Sequence, residues 1–83
     1  MDLTIIIVNW NTVELMQQCL ESIYNANINL VYEIIMVDNG STDDSVTTIS
    51  SKFPGVRIIS NERNLGFAKA NNQALADSKG KFL

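Results

Sequence analysis

The sequence predicts an α/β fold of three layers, in which a parallel sheet with strand order 3-2-1 carries helices on both faces. Three short apolar runs, at 3–8, 33–37 and 56–60, are each followed by a polar turn and then by apolar residues at helical spacing. Continuous apolar runs are typical of parallel strands covered on both faces. Strands that alternate with helices imply right-handed crossovers, and hence a parallel sheet.

The first unit is a strand at 3–8 followed by a helix from Thr12 to about residue 27. Thr12 is a suitable N-cap, and apolar residues recur at helical spacing after it. Cys19 lies among those apolar positions, so we expect it in the core. The turn between strand and helix consists of Asn9, Trp10 and Asn11.

The second and third units repeat this order. The strand at 33–37 leads into a helix for which Ser41 or Thr42 is the expected N-cap. The strand at 56–60 leads through a polar loop into a helix that begins near Phe67 and ends near residue 78. Residues 81–83 have the composition of a fourth strand at its start, which we place beside strand 1. The turn after the second strand is Asp38, Asn39, Gly40 and Ser41.

Length and composition allow one small domain. The chain has 83 residues, 46% of them hydrophobic and 18% charged, with a formal net charge of −3. The six Lys and Arg residues are scattered, which disfavours a nucleic-acid partner. A single cysteine excludes an internal disulfide, and the absence of histidine removes His-based triads and metal sites. No signal peptide or membrane span is visible, so we expect a cytoplasmic protein.

The polar turns after strands 1, 2 and 3 are expected at one edge of the sheet, where ligands bind in open parallel sheets. Asp38 there accepts hydrogen bonds either from a ligand or from its own turn. Trp10 offers a flat face for a base or forms a lid over the core. Asn71 lies on or beside the apolar face of the third helix, so its amide needs a partner in the strand-end loops or in a ligand.

Motifs with a well-defined phosphate chemistry are absent. No Gly-x-Gly-x-x-Gly follows the first strand, which disfavours a dinucleotide site, and no P-loop sequence occurs anywhere in the chain. A receiver-like regulatory domain needs an acidic cluster at the ends of strands 1 and 3. Those strands end in Asn9 and Ser60, which disfavours that class as well.

Three motifs, in order and at their observed spacings, resemble glycosyltransferase family 2, whose members have the GT-A fold. The motifs are Val8-Asn9-Trp10-Asn11, Val37-Asp38-Asn39-Gly40-Ser41-Thr42-Asp43, and Asn64-Leu65-Gly66-Phe67-Ala68-Lys69-Ala70-Asn71-Asn72-Gln73-Ala74-Leu75. The third motif is especially similar to the rhamnosyltransferase-like branch. The resemblance covers essentially the whole chain, which it identifies as the Rossmann-like N-terminal part of a GT-A domain.

The resemblance implies that the chain binds the nucleotide of a UDP- or dTDP-sugar. Asn9 and Trp10 would line the base, and Asp38 would accept from the pyrimidine ring N–H. Asn39 and Ser41 would lie near the ribose. The complete set of substrate-binding residues that we predict is Asn9, Trp10, Asn11, Asp38, Asn39, Ser41, Gly66 and Asn71.

We make further predictions for two of these residues, Gly66 and Asn71. The resemblance implies that Gly66 lets the third loop approach closely. Many family members have Arg where this chain has Asn71, and the rhamnosyltransferase-like branch commonly has a small or amide residue there. No catalytic residue and no metal ligand are predicted within this chain.

The resemblance also implies a divalent metal, Mg²⁺ or Mn²⁺, in the full-length family. Its ligands and the catalytic base are expected past Leu83. We therefore interpret 1–83 as one truncated nucleotide-sugar-binding subdomain, inactive alone, from a protein that works at the inner face of the membrane. The alternative is a non-catalytic interaction module that forms a homodimer through the exposed edge of strand 1.

Overall fold

The structure is a computed structural model that describes residues 2–26, 28–78 and 81–82. Four strands form a single parallel sheet in the order β3-β2-β1-β4, which confirms the predicted order 3-2-1 and a fourth strand beside strand 1. The elements in chain order are β1 (Leu3–Asn9), α1 (Val13–Asn25), β2 (Tyr32–Asn39), α2 (Ser45–Lys52), β3 (Arg57–Asn61), α3 (Phe67–Asp77) and β4 (Lys81–Phe82).

The strand register aligns the polar residues that end each strand. Asn9 of β1 lies opposite Asp38 of β2, and Asn39 lies opposite Asn61 of β3. Successive side chains of a strand point to opposite faces of the sheet. Asp38 and Asn39 therefore lie on different faces, so polar residues gather on both sides of the same edge.

The helices cover both faces, which confirms the predicted three layers. The core on one face lies beneath α1 and α2, and its buried residues are Ile5, Met16, Leu20, Ile34, Met36, Ile49 and Val56. The core on the other face lies beneath α3, and its buried residues are Ile35, Val37, Ala70 and Ala74. The small alanines bring α3 close to the sheet.

The prediction that Cys19 lies in the core is wrong, because its side chain is exposed. Leu15, one turn earlier on α1, is 65% exposed. In the part of the chain that the structure describes, β4 pairs with β1 only at Leu3 and Thr4. The apolar stripe of α1 therefore extends past the sheet that it covers.

Two helix starts differ from the sequence prediction. Thr12 precedes α1, but its hydroxyl donates to Asn9 Oδ1 (2.7 Å) and caps no helical N–H. α2 begins at Ser45 after Asp44, later than the predicted caps Ser41 or Thr42. Within the described ranges, no helix is long and apolar enough to cross a membrane.

Candidate functional site

The carboxyl ends of the strands carry two separate hydrogen-bond networks, one on each face of the sheet. We call the one beside α1 and α2 the carboxylate network; its members are Asn9, Asn11, Thr12, Asp38, Ser41, Thr42, Asp43 and Ser45. We call the one beside α3 the amide network; its members are Asn39, Asn61, Asn64, Leu65, Gly66 and Gln73. Six of the eight predicted site residues lie in these networks, and Trp10 and Asn71 lie in neither.

Asp38 is the centre of the carboxylate network and is 2% exposed. Its Oδ1 accepts from Asn9 Nδ2 (2.9 Å) and from the Ser41 hydroxyl (2.7 Å). Its Oδ2 accepts from the Ser41 backbone N–H (3.0 Å). The carboxylate therefore organises the turn that follows β2, by accepting from the backbone N–H three residues further along the chain.

Asn11 connects the first turn to the second. Its φ of 51° lies in the left-handed region that Asn tolerates better than most residues. Its side-chain Oδ1 accepts from the backbone N–H groups of Thr42 (2.7 Å) and Asp43 (3.2 Å). Its own backbone N–H donates to Ser41 Oγ (2.9 Å). These bonds fix the spacing between the loops that leave β1 and β2.

Asp43 supplies the helix capping that the predicted caps do not. Its Oδ1 accepts from the Ser45 backbone N–H (3.0 Å) and hydroxyl, and its Oδ2 accepts from Val13 N–H (3.3 Å) at the start of α1. The hydrogen bond from the Ser45 side chain lowers the pKa of Asp43 below its ordinary value. The Asp43 carboxylate is therefore ionised at neutral pH, where it stabilises the starts of α1 and α2. This stabilisation is lost as the pH falls through the lowered pKa.

Asn39 is the centre of the amide network and is 2% exposed. Its Nδ2 donates to Asn64 Oδ1 (2.9 Å) and to the Gly66 carbonyl (3.2 Å). Its Oδ1 accepts from Leu65 N–H (2.9 Å) and from Asn61 Nδ2 (3.3 Å). A primary amide has two donor hydrogens and two acceptor lone pairs, so every hydrogen-bonding position of this side chain is used.

The rest of the amide network joins β3 to α3. Asn61 Nδ2 donates to Gln73 Oε1 (2.8 Å), and Gln73 Nε2 donates back to Asn61 Oδ1 (2.9 Å). Asn64 Oδ1 also accepts from Gly66 N–H (2.7 Å). Asn61, Asn64 and Gln73 are not among the residues predicted for the site. Their signal is the repetition of amide side chains in and after β3, which the strand register, the third turn and the packing of α3 bring together.

The two glycines of the site have different requirements. Gly40 (φ 81°) lies so close to the third loop that a Cβ would be 2.6 Å from Arg63 C and Cα and 2.8 Å from Asn64 N. At Gly66 (φ 87°), no atom of the described residues lies within 4 Å of the same position, apart from its chain neighbours. Among the described residues, Gly40 is therefore required by a close approach of backbone, and Gly66 by its positive φ with open space beside it.

Trp10 and Asn71 are accessible to a ligand. Trp10 is 53% exposed and is not among the described hydrophobic side chains that pack against either core. Asn71 is half-buried, and its side chain bonds to no residue that the structure describes. An open cavity of about 320 Å³ adjoins the carboxylate network, and its lining residues are Asn11, Thr12, Val13, Glu14, Leu15 and Asp43.

The chemistry available here is that of binding and orientation. The described residues include no group of three or more His, Cys, Asp or Glu side chains that could hold a metal ion. The donors and acceptors are amides, hydroxyls, backbone groups, the buried carboxylate of Asp38 and the exposed carboxylate of Asp43. The residues of 2–26 and 28–78 therefore do not fit a metal centre of their own.

A doubly wound parallel sheet with its polar groups at the carboxyl ends of the strands defines a ligand-binding α/β domain. The model of glycosyl transferase family 2 matches residues 4–83, and the chain belongs to that family. The structure confirms the fold that this family shares, since it superposes on a mannosyltransferase of Pyrobaculum calidifontis in complex with GDP-Man and Mn²⁺. That match has a TM-score of 0.80 and 25% identity, over 93% of this chain and 24% of the other. S. aureus TarS matches with a TM-score of 0.87 at 22% identity, over 100% of this chain and 27% of that one, which shows the fold alone.

Curated relatives agree with this assignment. The chain is 33% identical to a poly(ribitol-phosphate) beta-glucosyltransferase of Bacillus spizizenii, over 100% of this chain and 14% of the relative. It is 29% identical to glycosyltransferase GlyG of Streptococcus pneumoniae, over 98% and 28%. It is 31% identical to a chondroitin synthase of Pasteurella multocida, over 89% and 8%. The chain thus spans between 8% and 28% of the length of these relatives.

Proposed function

We propose that this chain is the donor-binding part of a glycosyltransferase that transfers a sugar from a UDP- or dTDP-sugar to an acceptor hydroxyl. The family assignment supports sugar transfer in general terms. The proposal of a UDP- or dTDP-sugar depends on one observation. The buried Asp38 carboxylate lies at the carboxyl edge of the sheet opposite Asn9 of β1, and the next residue after Asn9 is the half-exposed Trp10. A fixed acceptor beside a flat apolar face suits a base that presents a ring N–H.

Asp38 has capacity left for such a ligand. Each carboxylate oxygen can accept two hydrogen bonds. Oδ1 already accepts two, whereas Oδ2 accepts one from the residues that the structure describes. Uracil and thymine present an N3–H donor, which we propose binds at Oδ2. Cytosine and adenine have no proton on the corresponding ring nitrogen, so their nucleotides should bind poorly.

The other predicted contacts complete this proposal. Trp10 stacks on the base, and Asn11 holds the loop from which that ring projects. Asn39 and Ser41 shape the ribose side of the pocket through the networks that they maintain. The amide of Asn71, which has no partner among the described residues, contacts the nucleotide past Gly66.

The first prediction is that the chain binds UDP and dTDP and ignores AMP. Backbone amide NMR spectra recorded during titration should show saturable shifts confined to the residues around Asn9, Trp10, Asp38 and Gly66. GDP belongs in the series, because the Pyrobaculum enzyme is in complex with GDP-Man and guanine also presents a ring N–H. A folded spectrum that none of the nucleotides perturbs would contradict the proposed function.

We further propose that these 83 residues bind the donor without transferring the sugar. The support is the absence of a metal-ligand group from the described residues and the resemblance, which places the base and the metal ligands past Leu83. The family's divalent ion, Mg²⁺ or Mn²⁺, would neutralise the leaving diphosphate when bound. The same protein samples can be used to test this. When they are incubated with UDP-glucose and Mn²⁺, the amount of UDP released should not exceed that of a protein-free blank.

The biological setting that we propose is glycan or cell-surface polysaccharide synthesis by the rhamnosyltransferase-like branch. The names of two relatives, a poly(ribitol-phosphate) glucosyltransferase and a chondroitin synthase, support polymer synthesis. The third motif, from Asn64 to Leu75, supports the branch. We place the whole protein in the cytoplasm at the inner face of the membrane.

An interaction module that self-associates is the second candidate, and the free edge of β1 favours it. Beyond Thr4, β1 has no strand partner on this side among the residues that the structure describes. An apolar cavity of about 170 Å³ opens beside this edge, lined by Ile7, Val8, Asn9, Thr12, Leu15, Met16 and Cys19. Unpaired edges and apolar patches are common sites of association.

This candidate predicts a stable dimer at micromolar concentration in size-exclusion chromatography with light scattering. Pairing of two copies would bury the unpaired N–H and C=O groups of β1 and the exposed side chain of Leu15. Leu15→Glu should then shift the mass to that of a monomer without changing the circular dichroism spectrum. A wild-type chain that stays monomeric at high concentration would exclude self-association.

A further inference from the structure

We infer that Asn9 is a positioning residue that holds the Asp38 carboxylate for the base and does not contact the nucleotide itself. This inference rests on the proposed function and revises the role that the family resemblance implies for Asn9. The observation behind it is that Asn9 is 1% exposed and that its amide is bonded at both ends within the chain. Its Nδ2 is directed at Asp38 and Ser41 and its Oδ1 at Thr12, so the polar atoms of this side chain face the chain and not a ligand.

The two ends of the Asn9 amide have different partners. Nδ2 donates to Asp38 Oδ1 (2.9 Å) and is 3.4 Å from Ser41 Oγ. Oδ1 accepts from the Thr12 hydroxyl (2.7 Å). The Asp38 carboxylate decides which end of the amide faces it, because it only accepts hydrogen bonds and would repel an amide oxygen. The Thr12 hydroxyl then donates to the Oδ1 that faces away from Asp38 and holds the amide in this orientation.

Asp38 gains a defined orientation from this arrangement. Its Oδ1 is held from two sides, by Asn9 and by the Ser41 hydroxyl, so the carboxylate cannot rotate about its Cβ–Cγ bond without breaking both bonds. The atom left with spare capacity is Oδ2. A hydrogen bond to an ionised acceptor is stronger than a neutral one, and a buried one loses most when its donor is removed. Base selection should therefore depend on Asn9 as well as on Asp38.

The test compares UDP with CDP, which differ at the base in whether N3 carries a proton. The wild-type chain should prefer UDP by about tenfold or more, as expected for one hydrogen bond to a charged group. Asn9→Ala should lose about tenfold in UDP affinity while CDP affinity changes by less than about threefold. Ser41→Ala removes a second donor to the same oxygen and should change the preference in the same direction.

Thr4→Val is the matched control. It lies on the same strand, is equally buried, and removes a hydroxyl that donates to Glu33 Oε1 (2.7 Å) at the far end of β1. It should leave the ratio of UDP to CDP affinity unchanged. If Asn9→Ala weakens UDP and CDP binding equally and keeps the ratio, then Asn9 has a structural role only and the inference is wrong.

A second measurement separates this inference from the proposed function. The ¹³C resonance of the Asp38 carboxyl carbon and the hydrogen exchange of the Ser41 N–H report the carboxylate orientation without any ligand. Both should change in Asn9→Ala and stay unchanged in Thr4→Val. If the wild-type chain binds no nucleotide, the proposed function is wrong, and the role of Asn9 in positioning Asp38 for a base is wrong with it. If the wild-type chain binds UDP but these signals are unchanged in Asn9→Ala, the inference is wrong and the proposed function stands.

Discussion

Gly40→Ala should destabilise the fold by about 2 to 5 kcal/mol, the sum of a left-handed backbone penalty and an overpacking term. The φ of Gly40 is 81°, and its new Cβ would lie 2.6 Å from backbone atoms of Arg63. Backbone cannot be moved aside as a flexible side chain can. Because a domain of this size is only marginally stable, most of the variant should be unfolded at room temperature. Urea denaturation followed by circular dichroism measures the loss.

Gly66→Ala is the matched control for this prediction. Its φ of 87° imposes a similar backbone penalty, but apart from its chain neighbours no atom of the described residues lies within 4 Å of the added Cβ. We therefore expect a loss of only about 1 to 2 kcal/mol. The difference between the variants isolates the contact between the second and third turns. Equal losses would show that the loop at Arg63 yields to the methyl group, and would contradict a fixed spacing between those turns.

The strands and their order could be predicted from the sequence because the signal for each is local. The β2 run at 34–37 is fully buried in the structure, as a continuous apolar segment between two helical layers must be. Alternation with helices then leaves few topologies. The exposure of Cys19 could not be predicted, since helical spacing reports which face is apolar and not how much of it the sheet covers.

The gathering of Asn9, Asp38 and Ser41 at one edge of the sheet could be predicted, but their contacts and the network of Asn61, Asn64 and Gln73 could not. Asn9, Asp38 and Ser41 all follow the carboxyl ends of neighbouring parallel strands, and this alone is enough to place them together. Which of them has polar atoms left for a ligand depends on register and on turn geometry, which place Thr12 against Asn9. Helix capping shows the same limit. Asp43 is recognisable in the sequence as an acid near a helix start, but its bond to Val13 joins the turn before α2 to the first residue of α1.

The separation of the two networks has a consequence for the whole site. Asp38 and Asn39 are neighbours in sequence, yet the first holds the loop of β1 on one face and the second holds the loop of β3 on the other. A change in one network should therefore leave the other intact, apart from its effect on Gly40 between them. We therefore assign base selection to the carboxylate network and loop geometry to the amide network.

Asn39→Asp should cost about 2 to 4 kcal/mol at neutral pH, although the two side chains have the same shape. Nδ2 of Asn39 donates to Asn64 Oδ1 and to the Gly66 carbonyl. The substitution replaces that donor with a buried carboxylate oxygen that faces two acceptors. The new carboxyl should titrate with a raised pKa, so the loss should be smallest near pH 4 and should grow as the pH rises. Urea denaturation at several pH values measures this dependence.

Asn64→Asp tests whether the direction of the hydrogen bonds, and not the added charge, causes that loss. The Asn64 side chain is exposed and acts only as an acceptor, from Asn39 Nδ2 (2.9 Å) and Gly66 N–H (2.7 Å). A carboxylate in its place keeps both bonds and strengthens them by its charge. We expect a change within about 0.5 kcal/mol, as for other surface substitutions. Similar losses in the two variants would mean that the amide network tolerates no charge at either position, and that the assigned donors and acceptors do not determine its stability.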